Sequence, residues 1–191
     1  MNPLAGITRP HSRTTRIPSF TDINPRKHSP LAMQNRVRVQ VVGPDEHGNQ
    51  VTKQDYQGEG NIMATYGLSR LVALLAGGSM DASSWIGGMR IGTDNTGASS
   101  NDSRLLASTG SIDLTDASDV IEAGARTLRC VGTFASDNPA GAAQIREIGI
   151  YASSNVTTGI VARKDLTGAE SVNKGASDAI NVSYDIVFTT G

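Results

Sequence analysis

The stretch AINVSYDIVFTT, residues 179–190, decides the fold class. Ile180, Val182, Tyr184, Ile186 and Phe188 take alternate positions, with Asn181, Ser183, Asp185 and Thr189 among them. Successive side chains on a strand point to opposite faces, so this period of two writes one apolar and one polar face. A helix would scatter the same residues around its axis. The stretch is therefore expected to be a half-buried strand.

Working outward, further short strands are expected, separated by glycine-rich turns. They are WIGGMRIGT (85–93), ARTLRCVGTFA (125–135), QIREIGIYA (144–152) and TTGIVARKDL (157–166). Leu128, Cys130 and Phe134 share one parity. Near the other end, RVRVQVV (36–42) sets Val37, Val39 and Val41 against Arg36, Arg38 and Gln40. GPDEHGN carries turn chemistry and VTKQDYQ returns, which predicts a β-hairpin. Such spacing of short strands predicts a mainly β domain, a β-sandwich or jelly-roll-like body.

One segment breaks the pattern. In NIMATYGLSRLVALLAGG (61–78), Ala64, Leu68, Leu71, Val72 and Leu75 recur at helical spacing. Asn61 is placed to cap the helix and Gly77-Gly78 to end it. A helix near 62–76 is expected, with its apolar stripe packed on a sheet.

The first 30 residues differ again. They hold five of the seven prolines: Pro3, Pro10, Pro18, Pro25 and Pro30. Proline fixes φ and removes a backbone donor, so neither helix nor sheet interior suits this segment. Five basic residues stand against one acid there, a net +4 in a chain of net charge −1. Apolar residues recur among the bases. The expectation is an extended arm over residues 1–34, mobile in isolation, ahead of a body over 35–191. Its contact residues would be Arg9, Arg13, Arg16, Ile17, Phe20, Ile23, Arg26 and Lys27. Ordering such an arm costs entropy, so it must gain contacts on another surface.

Chemistry is harder to place. The histidines are His11, His28 and His47, two in the arm and one in the hairpin turn, so a catalytic triad or histidine metal site would have to recruit from outside the body. The lone Cys130 sits in a strand-like run and is expected to be buried and inert. Asp94, Asp102, Asp113, Asp116, Asp119 and Asp137 are spread through expected turns and are taken as solvated. Glu147 lies within a strand, with Arg146 pointing the other way; a cross-strand or subunit partner is expected for it.

MRIGTDNTGASSNDSRLL (89–106) superficially suits a ligand. It has no lysine after a glycine at P-loop spacing and lacks both the dinucleotide fingerprint and the EF-hand register. It is expected to reverse the chain after a strand. No apolar run of 18 residues exists, so no membrane-spanning helix is expected, and the N-terminus lacks the apolar core of a secretory signal. No enzyme activity, cofactor or metal is expected. Direct nucleic-acid binding is not expected as the main role, since no readout module is visible.

The order of the pieces carries a resemblance. The helix NIMATYGLSRLVALLAGG, the strand and loop MRIGTDNTGASSNDSRLL, then REIGIYA, GIVARKDL and INVSYDIVFTT follow one another over about Asn61 to Thr190. This resembles a domain recurring in virion proteins of tailed bacteriophages, among tail-fibre, baseplate and capsid-accessory components. The chain departs from that pattern at Asp94 and Asn95, and in the Asp- and Ser-rich segment Gly110 to Gly124, which is not cleanly strand-like. The resemblance implies a non-catalytic β-domain of the virion that works through assembly. With the extended basic and apolar arm added to one such domain, the leading expectation is a capsid decoration or cement protein docking its body and arm on neighbouring subunits. The partners would be the major capsid protein or tail proteins of the same virion, with a homo-oligomer, a trimer by analogy. A tail component is the alternative, as baseplate or fibre-anchoring adaptor. A carbohydrate-binding module is more distant, since Trp85 is the single tryptophan.

Overall fold

A computed structural model describes residues 31–60, 62–75, 86–122, 125–152 and 159–190. The chain divides between Pro30 and Leu31, and the fold below is that of the unit beginning at Leu31.

It is mainly β. Strands β1 (Leu31–Pro44), β2 (Gln50–Glu59) and the short β3 (Ile62–Met63) precede the helix α1 (Thr65–Leu75). Then come β4 (Gly88–Gly92), β5 (Ser108–Asp113), β6 (Asp116–Glu122) and β7 (Ala125–Phe134). β8 (Ala143–Ile145), β9 (Glu147–Tyr151), β10 (Ile160–Asp165), β11 (Val172–Lys174) and β12 (Ala179–Thr190) complete the order. One five-stranded sheet runs β2-β1-β12-β7-β6 and the other β3-β10-β9-β4-β5, with β11 and β8 as a separate two-stranded sheet. The strand pairs are antiparallel.

The two sheets bury one core between them. Val37, Val39 and Val41 of β1 join Ile180, Val182, Tyr184 and Ile186 of β12 and Cys130 and Phe134 of β7. Met89 and Ile91 of β4 and Ile148 and Ile150 of β9 meet them from the second sheet. Each such side chain contributes about 1.5–3 kcal/mol by leaving water. The parity of residues 179–190 thus sets the inner face of the first sheet.

Several boundaries differ from the sequence expectation. β1 begins at Leu31, so residues 31–34 belong to the body, because the long β12 offers partners as far as Thr190, opposite Leu31. The run QIREIGIYA is two strands, since the chain changes sheets at Arg146: β8 pairs with β11, and β9 with β4 and β10. The segment after Gly110 does form strands: it holds the end of β5 and all of β6. β1 and β2 form the expected hairpin, with a bulge where Val41 pairs with Gln54 and Val42 with Thr52, leaving Lys53 as the extra residue.

The helix is shorter than expected. Ile62 and Met63 pair with β10, and α1 starts at Thr65, whose amide and hydroxyl both donate to the Ser100 carbonyl at 2.7 and 2.8 Å. It packs on β10 of the second sheet as expected, but only part of its stripe is turned inward. Ala64 is buried, but Leu68 and Val72 are 49% and 57% exposed. The side against the sheet is that of Gly67, where a Cβ would fall 2.4 Å from the Val161 carbonyl oxygen. The helix lies on its glycine, a residue that an apolar count ignores.

Candidate functional site

The loop from Thr93 to Ala107 lies over the outer face of the second sheet, and a charged cluster holds it there. On β9, Ile148 and Ile150 point into the core, so Glu147 and Tyr151 point the other way. On β10, Arg163 and Asp165 take the same outer face. Arg163 is 1% exposed and Glu147 0%.

Arg163 gathers the loop. Its Nη1 donates to Asp102 Oδ2 at 2.6 Å and its Nη2 to the Thr96 carbonyl at 2.9 Å. Nη2 also lies 3.0 Å from Glu147 Oε2 and 3.2 Å from Asp165 Oδ1. Glu147 accepts from the amides of Ala107 at 2.9 Å and Leu106 at 3.3 Å. Asp165 accepts from the amide of Ala98, and the Tyr151 hydroxyl accepts from the amide of Leu105 at 2.6 Å. Room for Glu147 comes from Gly92, where a Cβ would sit 2.3 Å from Glu147 Oε1.

Burial raises the carboxyls of Glu147 and Asp165 above the ordinary range, against the pull of Arg163 and the loop amides. Asp94 moves the other way, held below its ordinary value by the hydroxyl and amide of Thr96. Removing charges from water costs several kcal/mol per ion unless each is paired and hydrogen-bonded. Here most of the donors and acceptors fix a loop, although Arg163 Nε and Asp165 Oδ1 make no hydrogen bond. The loop does reverse the chain between β4 and β5, as expected, and Glu147 meets its cross-strand partner. Asp102 is not a solvated loop charge but an anchor for a buried cation. Asp113, Asp116 and Asp119 lie on strands rather than in turns.

A groove of about 520 Å³ crosses the outer face of the first sheet, lined by Arg36, Arg38, Glu59, Arg129, Ser183 and Asp185 among others. Arg38 reaches Asp55 through Nε and Nη2 at 2.9 and 2.6 Å. Arg129 holds Asp185 in the same forked way at 2.9 and 2.8 Å. Arg38 and Arg129 in the groove are therefore matched by carboxylates on neighbouring strands. The exposed Arg38–Asp55 pair contributes only about 0–1 kcal/mol.

At one end of the body, Lys174 is 2% exposed, and its ammonium donates to the carbonyls of Ser136, Gly141 and Gly175 at 2.7, 3.0 and 3.1 Å. Cys130 is fully buried, and burial pushes its thiol up to about 12. His47 sits exposed in the β1–β2 turn, 3.5 Å from Glu46. Among the described residues no cluster of three or more His, Cys, Asp or Glu is arranged to hold a metal, and no helix is long and apolar enough to cross a membrane. The expected contact residues Arg9, Arg13, Arg16, Ile17, Phe20, Ile23, Arg26 and Lys27 lie outside the described residues.

Sequence reasoning singled out Glu147 but missed Arg163, Asp165 and Tyr151 around it. The signal was present: a base in the apolar run GIVARKDL and an acid in IREIGIY. Charges of opposite sign on two buried strands, Glu147 on β9 and Arg163 and Lys164 on β10, point to pairing between them.

Fold and site together define an antiparallel two-sheet β-domain with one helix and a charge-locked loop. No known protein family, curated protein or solved structure matches this chain.

Proposed function

We propose that this chain is a structural protein of a tailed-phage virion, a capsid decoration protein that stabilises the shell by docking its body and leader on neighbouring subunits. The observation that carries this reading is where the leader joins the body. Residues 1–30 run into β1, an interior strand paired on one side with β12 through twelve residues and on the other with β2. Tension on the leader would load both ladders in shear, along many hydrogen bonds at once. A segment meant to hold another molecule is well anchored in this way.

The locked loop supports the same reading, because its buried charges rigidify a surface rather than open a cleft. The leader's chemistry fits docking: Arg9, Arg13, Arg16, Arg26 and Lys27 suit carboxylates, and Ile17, Phe20 and Ile23 suit shallow apolar pockets. Linking such contacts to a docked body raises their effective concentration, so modest contacts become strong together.

The test is co-sedimentation with intact particles. The full chain is expected to bind, and a chain lacking residues 1–30 to fold but stay in the supernatant. Undiminished binding by the shortened chain refutes the docking role. Copy number on the particle separates this placement from a tail adaptor: hundreds against about a dozen.

A further inference from the structure

β6 is one end of the first sheet, and among the described residues no strand pairs with its outer edge. Backbone donors and acceptors along such an edge form a template for a further strand. This edge is open: Asp116 and Ala117 are exposed, and Ile121 is 71% exposed. It is also regular, with all seven residues in step with β7 and no bulge. Its sequence, DASDVIE, has three acids and no base. Such an edge repels a copy of itself and favours a basic strand.

The chain contains a basic segment of matching length. Between Pro10 and Pro18 lie seven residues, HSRTTRI. Proline cannot donate to a ladder, so the two prolines bound a segment in which every residue can. Thr14, Thr15 and Ile17 are β-branched and suit a strand. Arg13 and Arg16 have opposite parity, which places one guanidinium on each face.

We propose that residues 11–17 of one copy add to the outer edge of β6 in a second copy as an antiparallel strand. In full register, His11 stands opposite Glu122 and Ile17 opposite Asp116. Arg13 then falls diagonal to Glu122, and Arg16 diagonal to Asp119. Long side chains reach across such diagonals. Main-chain bonds supply the affinity and the two arginines set register and partner. The proposal rests on the reading that the leader grips a neighbouring subunit, and it names that subunit as another copy.

Strand direction favours exchange between copies. Ala32 pairs with Thr189, Thr189 with Ala125, and Ala125 with Glu122, so β1 begins at the end of the sheet where β6 finishes. An antiparallel strand on β6 ends beside Asp116, at the opposite end. Within one chain, residues 18–30 would have to run back along the sheet and across its strands. A second copy carries no such constraint.

Two single variants, Thr15→Cys and Ser118→Cys, are mixed and treated with a short bismaleimide; these positions face each other in the proposed register. A covalent dimer several-fold above either variant alone is expected, rising with concentration. Adding Arg13→Glu and Arg16→Glu to the first variant should abolish it, and Asp119→Arg with Glu122→Arg on the second should restore it. No dimer above the single-variant background overturns the proposal, as does cross-linking confined to a chain carrying both cysteines. Particle co-sedimentation of the Arg13→Glu, Arg16→Glu chain separates the two ideas. Retained particle binding with no cross-link discards the strand exchange and leaves the docking role standing.

Discussion

The guanidinium of Arg163 lies 3.0 Å from the Glu147 carboxylate, and the two side chains are 1% and 0% exposed. They sit on neighbouring strands beneath a fifteen-residue loop that crosses the sheet. Asp102 and the Thr96 carbonyl bind the same guanidinium from that loop. A local run of glycines and small polar residues is thereby held by long-range charge pairing.

Replacing Arg163 with Met leaves three carboxylates around a site that has lost its cation. Breaking a buried pair from one side costs about 3–5 kcal/mol. Glu147→Gln keeps an acceptor for the Leu106 and Ala107 amides and is expected to cost less. Urea denaturation of both variants checks the ranking. A smaller loss for Arg163→Met than for Glu147→Gln would contradict the network described.

Gly67→Ala tests how α1 is docked. On helix propensity alone the change stabilises by about 1 kcal/mol. The added Cβ would meet the Val161 carbonyl oxygen at 2.4 Å, and overpacking of this kind costs about 1–3 kcal/mol. A net loss of thermal stability is expected, with faster hydrogen exchange in α1. A gain would mean that the helix does not rest on its glycine.

Asp178 gives the fold an acid-sensitive tie. Lys53 donates to its Oδ1 at 2.7 Å and the Gly175 amide to its Oδ2 at 2.9 Å. Lys53 first, then the Gly175 amide, holds this carboxyl below the ordinary range. A carboxyl whose folded value is depressed adds stability above its unfolded value, about 3.9, and that contribution disappears as pH falls through the folded value. Asp178→Asn is expected to cost about 1–3 kcal/mol at pH 7 and progressively less below pH 4. Stability curves for the two proteins that stay parallel down to pH 2 would refute this assignment.

Cys130 offers a probe of global opening. Its thiol is fully buried and pushed up to about 12 by burial, with Asp185 and Asp116 adding to the shift. Native protein at pH 8 should resist a thiol reagent, while denatured protein should react completely within minutes. Rapid labelling of native protein would show an open path to the core.

Much of the fold was legible because it is written in parity. Val37, Val39 and Val41, and Ile180, Val182, Tyr184 and Ile186, announce the inner face of the first sheet without long-range information. β6 was illegible because DASDVIE mixes Asp, Ser and Ala with Val and Ile and writes no clean alternation, and an edge strand needs none. The packing of α1 was only partly legible: Ala64 is buried and Leu71 half-buried as the stripe requires, but Leu68 and Val72 are exposed and the closest approach is at Gly67. Around Glu147, sequence could demand a partner but could not choose it, since Arg163 becomes a neighbour only when β9 and β10 pair. Residues 1–30 stand out as a change in composition, in their prolines and bases, and lie outside the described residues.

The bulge at Lys53 has a consequence for how copies can join. β2 is the opposite border of the first sheet from β6, and an unpaired extra residue there kinks and over-twists the strand. A border deformed in that way is a poor splice for an incoming chain. The first sheet is then left with a single acceptor edge rather than two, so each copy can take one incoming strand and give one, and the rotation between neighbours decides whether the exchange closes into a ring.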